Sequence, residues 1–324
     1  MSTNVAPIVG RSLQLIAPQQ LAWTPDTLPP LGPHDLLLET QTGAISIGTE
    51  LPHFQGDSRG TLPPGYPQMI GYENVAIVQR PGTAVITPPL GARVVATYGH
   101  RTHAIVPRTK AIIVPDDLSD AAAILLILSG DVATGINKLG TPPPEPVLIT
   151  GAGAIGLLAV FVLRALGIQA IDVIEPYAER RTLALAYGAR RAVAPDAVTK
   201  LDNSYTSGVE CSSRDAAFAL LQARLAPHGR ICVLADGNLE PLTLTPAFHR
   251  HQISVVGSSD CPDYHAHARW YFPLAQRHSA TLERLFNHRI TAEDLPATFA
   301  ALASGALNPV KVLVRYSVDR CGFS

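Results

Sequence analysis

From Arg11 to about Pro115 short apolar stretches are separated by Pro/Gly turns, with no helical period. Ser12-Leu-Gln-Leu-Ile16, Asp35-Leu-Leu-Leu-Glu-Thr40, Asn74-Val-Ala-Ile-Val78, Arg93-Val-Val-Ala-Thr97 and Ala111-Ile-Ile-Val114 read as strands of a partly closed β domain. Around Leu118-Ser-Asp-Ala-Ala-Ala123 the spacing turns helical, with Ser119 placed as an N-cap. A further helix is expected over 131–139. Strands and helices then alternate: a strand at 147–150, a helix entered at Gly156, a strand at 170–174 and a helix at 180–187. A strand end at 208–211, a helix at 215–225 and strands at 229–235 and 252–257 continue the pattern. Such alternation predicts a parallel sheet with helices on both faces. Helical stretches at 269–276 and 295–303 precede a last strand, 310–316, expected to return to the first domain.

Length and composition narrow the class. The chain has 324 residues, 47% hydrophobic and 16% charged, enough for two globular domains. Lys+Arg 25 against Asp+Glu 26 gives a net charge of −1, which offers no electrostatic case for nucleic acid or an anionic membrane. Cys211, Cys232, Cys261 and Cys321 form no C-x-x-C pair and read as reduced thiols of a cytoplasmic protein. No apolar stretch approaches the ~20 residues of a membrane span; Ala121-Ala-Ala-Ile-Leu-Leu-Ile-Leu128 is expected to break at Ser129-Gly130.

The sharpest chemical signal is Val147-Leu-Ile-Thr-Gly-Ala-Gly-Ala-Ile-Gly156. Gly151 serves a tight turn, Gly153 close approach of a pyrophosphate, and Gly156 close packing of helix on strand; Ala154 and Ile155 open the helix. Phosphates would face the free N–H groups and positive dipole end of that helix. The next strand ends on Glu175, where a carboxylate meets ribose hydroxyls. A carboxylate ~4 Å from a 2′-phosphate would repel it by about 4 kcal/mol per charge pair at an effective dielectric near 20. NAD(H) is therefore expected over NADP(H), although Arg180 and Arg181 just downstream, with Arg190 and Arg191 beyond, could accommodate the extra phosphate. Cys211, Leu234-Ala235-Asp236 and Gly257-Ser258 follow strands of the sheet, where such folds contact the cofactor.

Gly48-Thr-Glu50, Gly71-Tyr-Glu73, Gly91-Ala-Arg-Val-Val95, the glycine turn, Glu175 and Gly229-Arg-Ile231 occur in an order that resembles the medium-chain dehydrogenase/reductase superfamily over nearly the full length. The resemblance implies a Rossmann doubly wound α/β sheet, residues 128–258, inserted in a GroES-like, partly open β-barrel catalytic domain, residues 1–127 and 259–324. In zinc-dependent members the first landmark reads Cys-Gly-Thr-Asp-x-His and the second Gly-His-Glu. Ile47 stands at the cysteine position, Pro52 at the relay histidine and Tyr72 at the zinc-binding histidine; the family's further ligand falls in Leu126-Ile-Leu128. The four-cysteine structural-zinc lobe is missing. Independently of the family, catalytic zinc wants about three Cys, His or carboxylate ligands. A phenol with pKa near ~10 must lose its proton to serve well. The expectation is a zinc-free member with no metal. Its motifs look most like the bacteriochlorophyllide a dehydrogenase branch, whose members oxidise a 3-hydroxyethyl group to acetyl with NAD.

Without zinc, hydrogen-bond donors must polarise the substrate oxygen. Thr49 sits where the family's hydroxyl relay sits, and Tyr72 places a phenol where zinc would act. Glu50 and Glu73 would orient these donors, and His53 could shuttle the proton to solvent. Asp131 is read as the opening residue of its helix, suiting the dipole. His249-Arg-His251 and His265-Ala-His267, spaced i, i+2, would share a strand face and could form an unrelated metal site. The reaction expected is alcohol–carbonyl hydride transfer on a small-molecule substrate. Reduction of a polarised C=C or C=N bond, and a nucleotide-binding protein without catalysis, stay open. Residues 252–257 could supply the sheet edge of a homodimer.

Overall fold

The computed structural model describes residues 9–57, 65–235 and 240–316. The chain divides into two compact units, residues 1–124 with 286–324, and residues 125–285.

The first unit starts with β1 (Val9–Ala17), β2 (Gln20–Thr27) and β3 (Asp35–Ile45), followed by α1 (Ile47–Gln55). Next come β4 (Gln68–Met69), β5 (Glu73–Pro81), β6 (Arg93–Ala96), β7 (His103–Pro107), β8 (Ile112–Ile113) and α2 (Asp120–Ile124). The helix α1 corrects the expectation of an all-strand segment. Pro52 inside the helix, and buried residues at Glu50, Pro52 and Phe54 that do not follow one helix face, hid its period. Ser119 does cap α2, its Oγ accepting from the Ala122 N–H at 3.2 Å.

In the second unit the order is α3 (Leu126–Asn137), β9 (Val147–Thr150), α4 (Ala154–Ala165), β10 (Ile171–Ile174), α5 (Ala178–Ala186) and β11 (Arg191–Val193). It continues with β12 (Tyr205–Glu210), α6 (Asp215–Arg224), β13 (Leu225–Val233), α7 (Pro246–Arg250), β14 (Ser254–Gly257) and α8 (Tyr264–Leu282). Its sheet runs β11-β10-β9-β12-β13-β14, and every pairing in it is parallel. The order reverses direction at β9, the switch point where dinucleotides bind in such sheets. Ser129 and Gly130 lie inside α3 and do not break it. The stretch Asp120–Asn137 is long and apolar enough to cross a membrane by composition, but 72% of it is buried inside the protein, as a core helix is.

The chain then returns to the first unit with β15 (His288–Thr291), α9 (Leu295–Ala303) and β16 (Val312–Arg315). The larger sheet of that unit runs β15-β16-β3-β5-β6-β8, with β7 also on β3; β2-β1-β4 form a smaller one. As expected, the last strand pairs with the first domain, Val312 opposite Ile45 and Leu313 opposite Ala44. The return crossing lies at 286 and not at 259. The reason is α8, which is tied to α3: His267 Nε2 meets Ser129 Oγ at 2.9 Å, and the Tyr264 hydroxyl donates to Asp131 at 2.7 Å. The first boundary likewise falls at 124/125 and not at 127/128.

Candidate active site

The second unit carries the nucleotide turn. Gly151, at φ +87°, ends β9 in the left-handed region, and its N–H donates to Ile174 O at 2.9 Å. A Cβ on Gly156 would fall inside contact distance of the Gly151 carbonyl oxygen, so helix and strand can approach this closely only at glycine. A Cβ on Gly153, by contrast, would meet nothing within 4 Å. That open space lies at the N-cap of α4, which has no side-chain cap, so its first-turn N–H groups are left for a ligand. Ala154 and Ile155, half-buried, form the first residues of that helix. The turn fits a dinucleotide pyrophosphate.

Glu175 is 3% exposed and faces back into this turn. Its Oε2 accepts from the Ala152 N–H at 2.7 Å and its Oε1 from the Tyr177 N–H at 2.9 Å. Each oxygen keeps a second lone pair with which to accept from a ribose hydroxyl. The Arg180 guanidinium lies over the Tyr177 ring at 5.0 Å, while Arg181 donates to the Glu175 and Pro176 carbonyls at 2.8 and 2.6 Å. Arg190 and Arg191 are engaged elsewhere, with the fully buried Asp172 and with Asp202. Cys211 directly follows β12; burial pushes its thiol well up, so it is no thiolate nucleophile. Leu234 and Ala235 follow β13, and Gly257 and Ser258 sit at the end of β14. Asp236 lies outside the described residues.

The first unit carries a hydroxyl cluster at the start of α1. Ser46 is the N-cap of α1, and its N–H donates to Glu50 Oε1 at 2.6 Å, tying the buried Glu50 to the first turn. The Tyr72 hydroxyl donates to Ser46 Oγ at 2.6 Å and is also bonded by the Thr49 side chain. Burial pushes the Tyr72 phenol far above its usual range, and the charge of Glu73 adds to this. It therefore stays protonated, a hydrogen-bond donor and not a tyrosinate. Glu73 pairs with Lys311 at 2.6 Å, both fully or almost fully buried. His53 lies four residues beyond Thr49 on α1, the spacing that puts two side chains on one helix face.

Two readings need correction. Asp131 does not open its helix: it lies in the second turn of α3 and accepts from the Cys261 N–H and the Tyr264 hydroxyl. The histidine pairs lie on or beside helices, where an i, i+2 spacing points to different faces. His251 Nδ1 bonds Leu225 O, and His267 bonds Ser129, its pKa pushed down to about 4 by burial. His100 and Tyr316, which the sequence did not mark, complete the cluster in the first unit. His100 Nε2 meets Glu50 Oε2 at 2.9 Å, from 50 residues away, so no local pattern announces it.

Residues 154–270 match the family model described as zinc-binding dehydrogenase. L-threonine 3-dehydrogenase of Pectobacterium atrosepticum is 26% identical over 72% of this chain and 75% of its own length. The enzyme of the same name from Shewanella loihica is 29% identical over 69% of this chain and 76% of its own. Among solved structures, an alcohol dehydrogenase from Thermus sp. ATN1 superposes with a TM-score of 0.78 at 19% identity, covering 95% of this chain and 99% of that one. The α/β architecture with its parallel nucleotide sheet is thus the fold of that alcohol dehydrogenase.

The zinc in the family description can be compared with the side chains at the positions that the resemblance assigns to its ligands. Ile47 is apolar, Tyr72 is held as a neutral phenol, and Leu126, Ile127 and Leu128 are buried hydrocarbons. Glu50 is shared by Ser46 and His100, and Glu73 is paired with Lys311. Among the described residues no group of three or more His, Cys, Asp or Glu could hold a metal ion.

Proposed function

We propose that this chain is a zinc-independent, NAD(H)-dependent medium-chain dehydrogenase/reductase acting on a secondary alcohol and its ketone, a reading supported by its fold and its family segment. The observation that supports the zinc-free reading is the Tyr72 phenol, hydrogen-bonded to Ser46 and Thr49, at the position where the family resemblance puts a zinc-binding histidine. Bound nicotinamide supplies or accepts the hydride at the carbinol carbon. The residues of this chain do the rest. The first-turn N–H groups of α4 and the turn at Gly151–Gly156 would hold the pyrophosphate, and Glu175 would accept from the ribose. Tyr72, swinging its O–H from Ser46 Oγ to the substrate, and Thr49 donate hydrogen bonds to the substrate oxygen, drawing charge onto it as the carbon accepts hydride. Because the phenol holds its proton so firmly, the proton that ends on the oxygen passes through Thr49, with His53 one turn on as its exchange partner with solvent.

The substrate class rests on two likenesses of different kinds, the L-threonine 3-dehydrogenases and the motif resemblance to the bacteriochlorophyllide branch. L-threonine and the 3-hydroxyethyl pigment of the bacteriochlorophyllide branch share a CH3–CH(OH)– group. We take that group as the reacting fragment here, with the rest of the molecule undefined. Purified protein stripped with a chelator should oxidise NADH with a methyl ketone such as butane-2,3-dione, and its activity should change by less than about twofold on stripping. Activity that vanishes with zinc and returns with it would overturn the metal-free reading. Turnover of enones or cyclic imines in place of ketones would shift the reaction to C=C or C=N reduction. Tight NADH binding without turnover of any of these compounds would mark a nucleotide-binding protein.

Two variants follow. Tyr72→Phe is expected to lower kcat at least about tenfold, the scale of one lost oxyanion donor or less; an unchanged kcat removes Tyr72 from the chemistry. For the cofactor, kcat/KM should favour NADH over NADPH by at least about tenfold, since the Glu175 carboxylate at the turn would repel a 2′-phosphate. A tenfold preference for NADPH would instead assign the rim to Arg180 and Tyr177.

A further inference from the structure

We propose that His100 is the positioning residue of the hydroxyl cluster, a role that rests on the reading of Tyr72 and Thr49 as oxygen partners. His100 follows β6 on a short loop and is 1% exposed. Its backbone is fixed on both sides: its N–H donates to Ile70 O at 2.7 Å, and its carbonyl accepts from the Leu13 N–H at 2.8 Å. The side chain makes one contact at each end of the ring. Nε2 faces Glu50 Oε2 at 2.9 Å, and Nδ1 faces the Tyr316 hydroxyl at 3.4 Å. A carboxylate oxygen only accepts, so Nε2 carries the proton, and Tyr316 can then donate to Nδ1.

The ring reaches both elements that carry the cluster. Through Glu50 it holds the first turn of α1, because the same carboxylate accepts from the Ser46 N–H with its other oxygen. Ser46 Oγ in turn receives the Tyr72 hydroxyl. The second route is steric. A Cβ on Gly71 would lie 2.5 Å from the His100 Cδ2 and 2.7 Å from its Nε2, and Gly71 sits at φ +89°. Gly71 is thus glycine because this ring lies against it, and the ring sets the path of the backbone that leads into Tyr72. One imidazole fixes the acceptor of the phenol and the loop that presents it.

The chain of contacts is not a proton wire. Its link between Glu50 and Ser46 is a backbone N–H, which cannot pass a proton on. His100 therefore acts by placement, and its loss should appear in kcat and not in nucleotide binding.

Glutamine and asparagine separate placement from mere filling of space. His100→Gln carries an amide N–H at the reach of Nε2 and keeps the bond to Glu50. His100→Asn carries it at the reach of Nδ1 and loses that bond. With NADH and butane-2,3-dione as the probe pair, His100→Asn should lower kcat about tenfold with KM for NADH unchanged, and His100→Gln should stay within about threefold of wild type. In a Tyr72→Phe background His100→Asn should cost less than about threefold more, because what it positions is already gone. Multiplying losses, or equal losses in the Gln and Asn variants, would overturn the proposal. The same pair can be read without any substrate, in urea unfolding. There Tyr72→Phe and His100→Asn should be non-additive, and additivity within about twofold in the unfolding constant would again overturn it. A Tyr72→Phe variant with wild-type kcat would instead sink the underlying assignment of the oxygen partner, and His100 with it.

Discussion

A Gly153→Ala variant should fold as stably as the wild type and bind NADH at least about tenfold more weakly, a loss of about 1.4 kcal/mol. A methyl group there meets no protein atom within 4 Å, so nothing in the fold resists it. It does project at the uncapped start of α4, where a pyrophosphate must approach the backbone. Gly156→Ala offers the contrast. Its methyl would press on the Gly151 carbonyl oxygen, a backbone atom that no rotamer can move aside. That variant should lose about 1–3 kcal/mol or more of stability along with cofactor binding. Thermal unfolding and NADH fluorescence titration of the two proteins separate the cases. Wild-type NADH affinity in Gly153→Ala would show that the turn does not hold the phosphates.

The nucleotide sheet was legible because its signals are local. Strand, glycine turn, helix and terminal acid lie within the contiguous stretch Val147–Glu175, and the observed β9, α4, β10 and Glu175 follow them in order. The hydroxyl cluster proposed as catalytic was legible only in part. Thr49, Glu50 and Tyr72 could be placed from short motifs, but their partners come from far along the chain. Lys311 reaches Glu73 across 238 residues, and His100 reaches Glu50 across 50. Such pairs are created by sheet register and leave no periodic trace. The helix α1 was missed because Pro52 lies within it and its buried side includes a carboxylate, so hydrophobic spacing alone does not reveal it. The reading of α3 failed for the opposite reason. Ser129 and Gly130 look like a break, yet Ser129 Oγ is satisfied inside the helix by Leu126 O at 3.0 Å, and a side chain on Gly130 would crowd Cys261 and Tyr264.

Replacing Lys311 by methionine should lower the unfolding free energy by about 3–5 kcal/mol, because it leaves the carboxylate of Glu73 buried without its cation. The pair is made by strand register. Val312 lies opposite Ile45 on β3, and Ala44 lies opposite Glu73 on β5, so the residue before β16 reaches the first residue of β5 across the intervening strand. Glu73 is fully buried and Lys311 is 1% exposed; besides Glu73 Oε1 at 2.6 Å, the ammonium lies 3.4 Å from the Ile45 carbonyl. Charges so far from water stay compatible with the fold only as a pair. Adding Glu73→Gln to Lys311→Met should therefore recover more than half of the loss, since an uncharged amide costs less to bury than an unpaired carboxylate. Urea unfolding of the two single variants and the double variant measures the coupling. Additive losses would show that Glu73 is stabilised by something other than Lys311. The same pair bears on the chemistry, because the charge of Glu73 helps to hold the Tyr72 phenol protonated. Glu73→Gln in the Lys311→Met background removes that contribution, but burial, the larger cause, still keeps Tyr72 a donor, so kcat should return along with the fold.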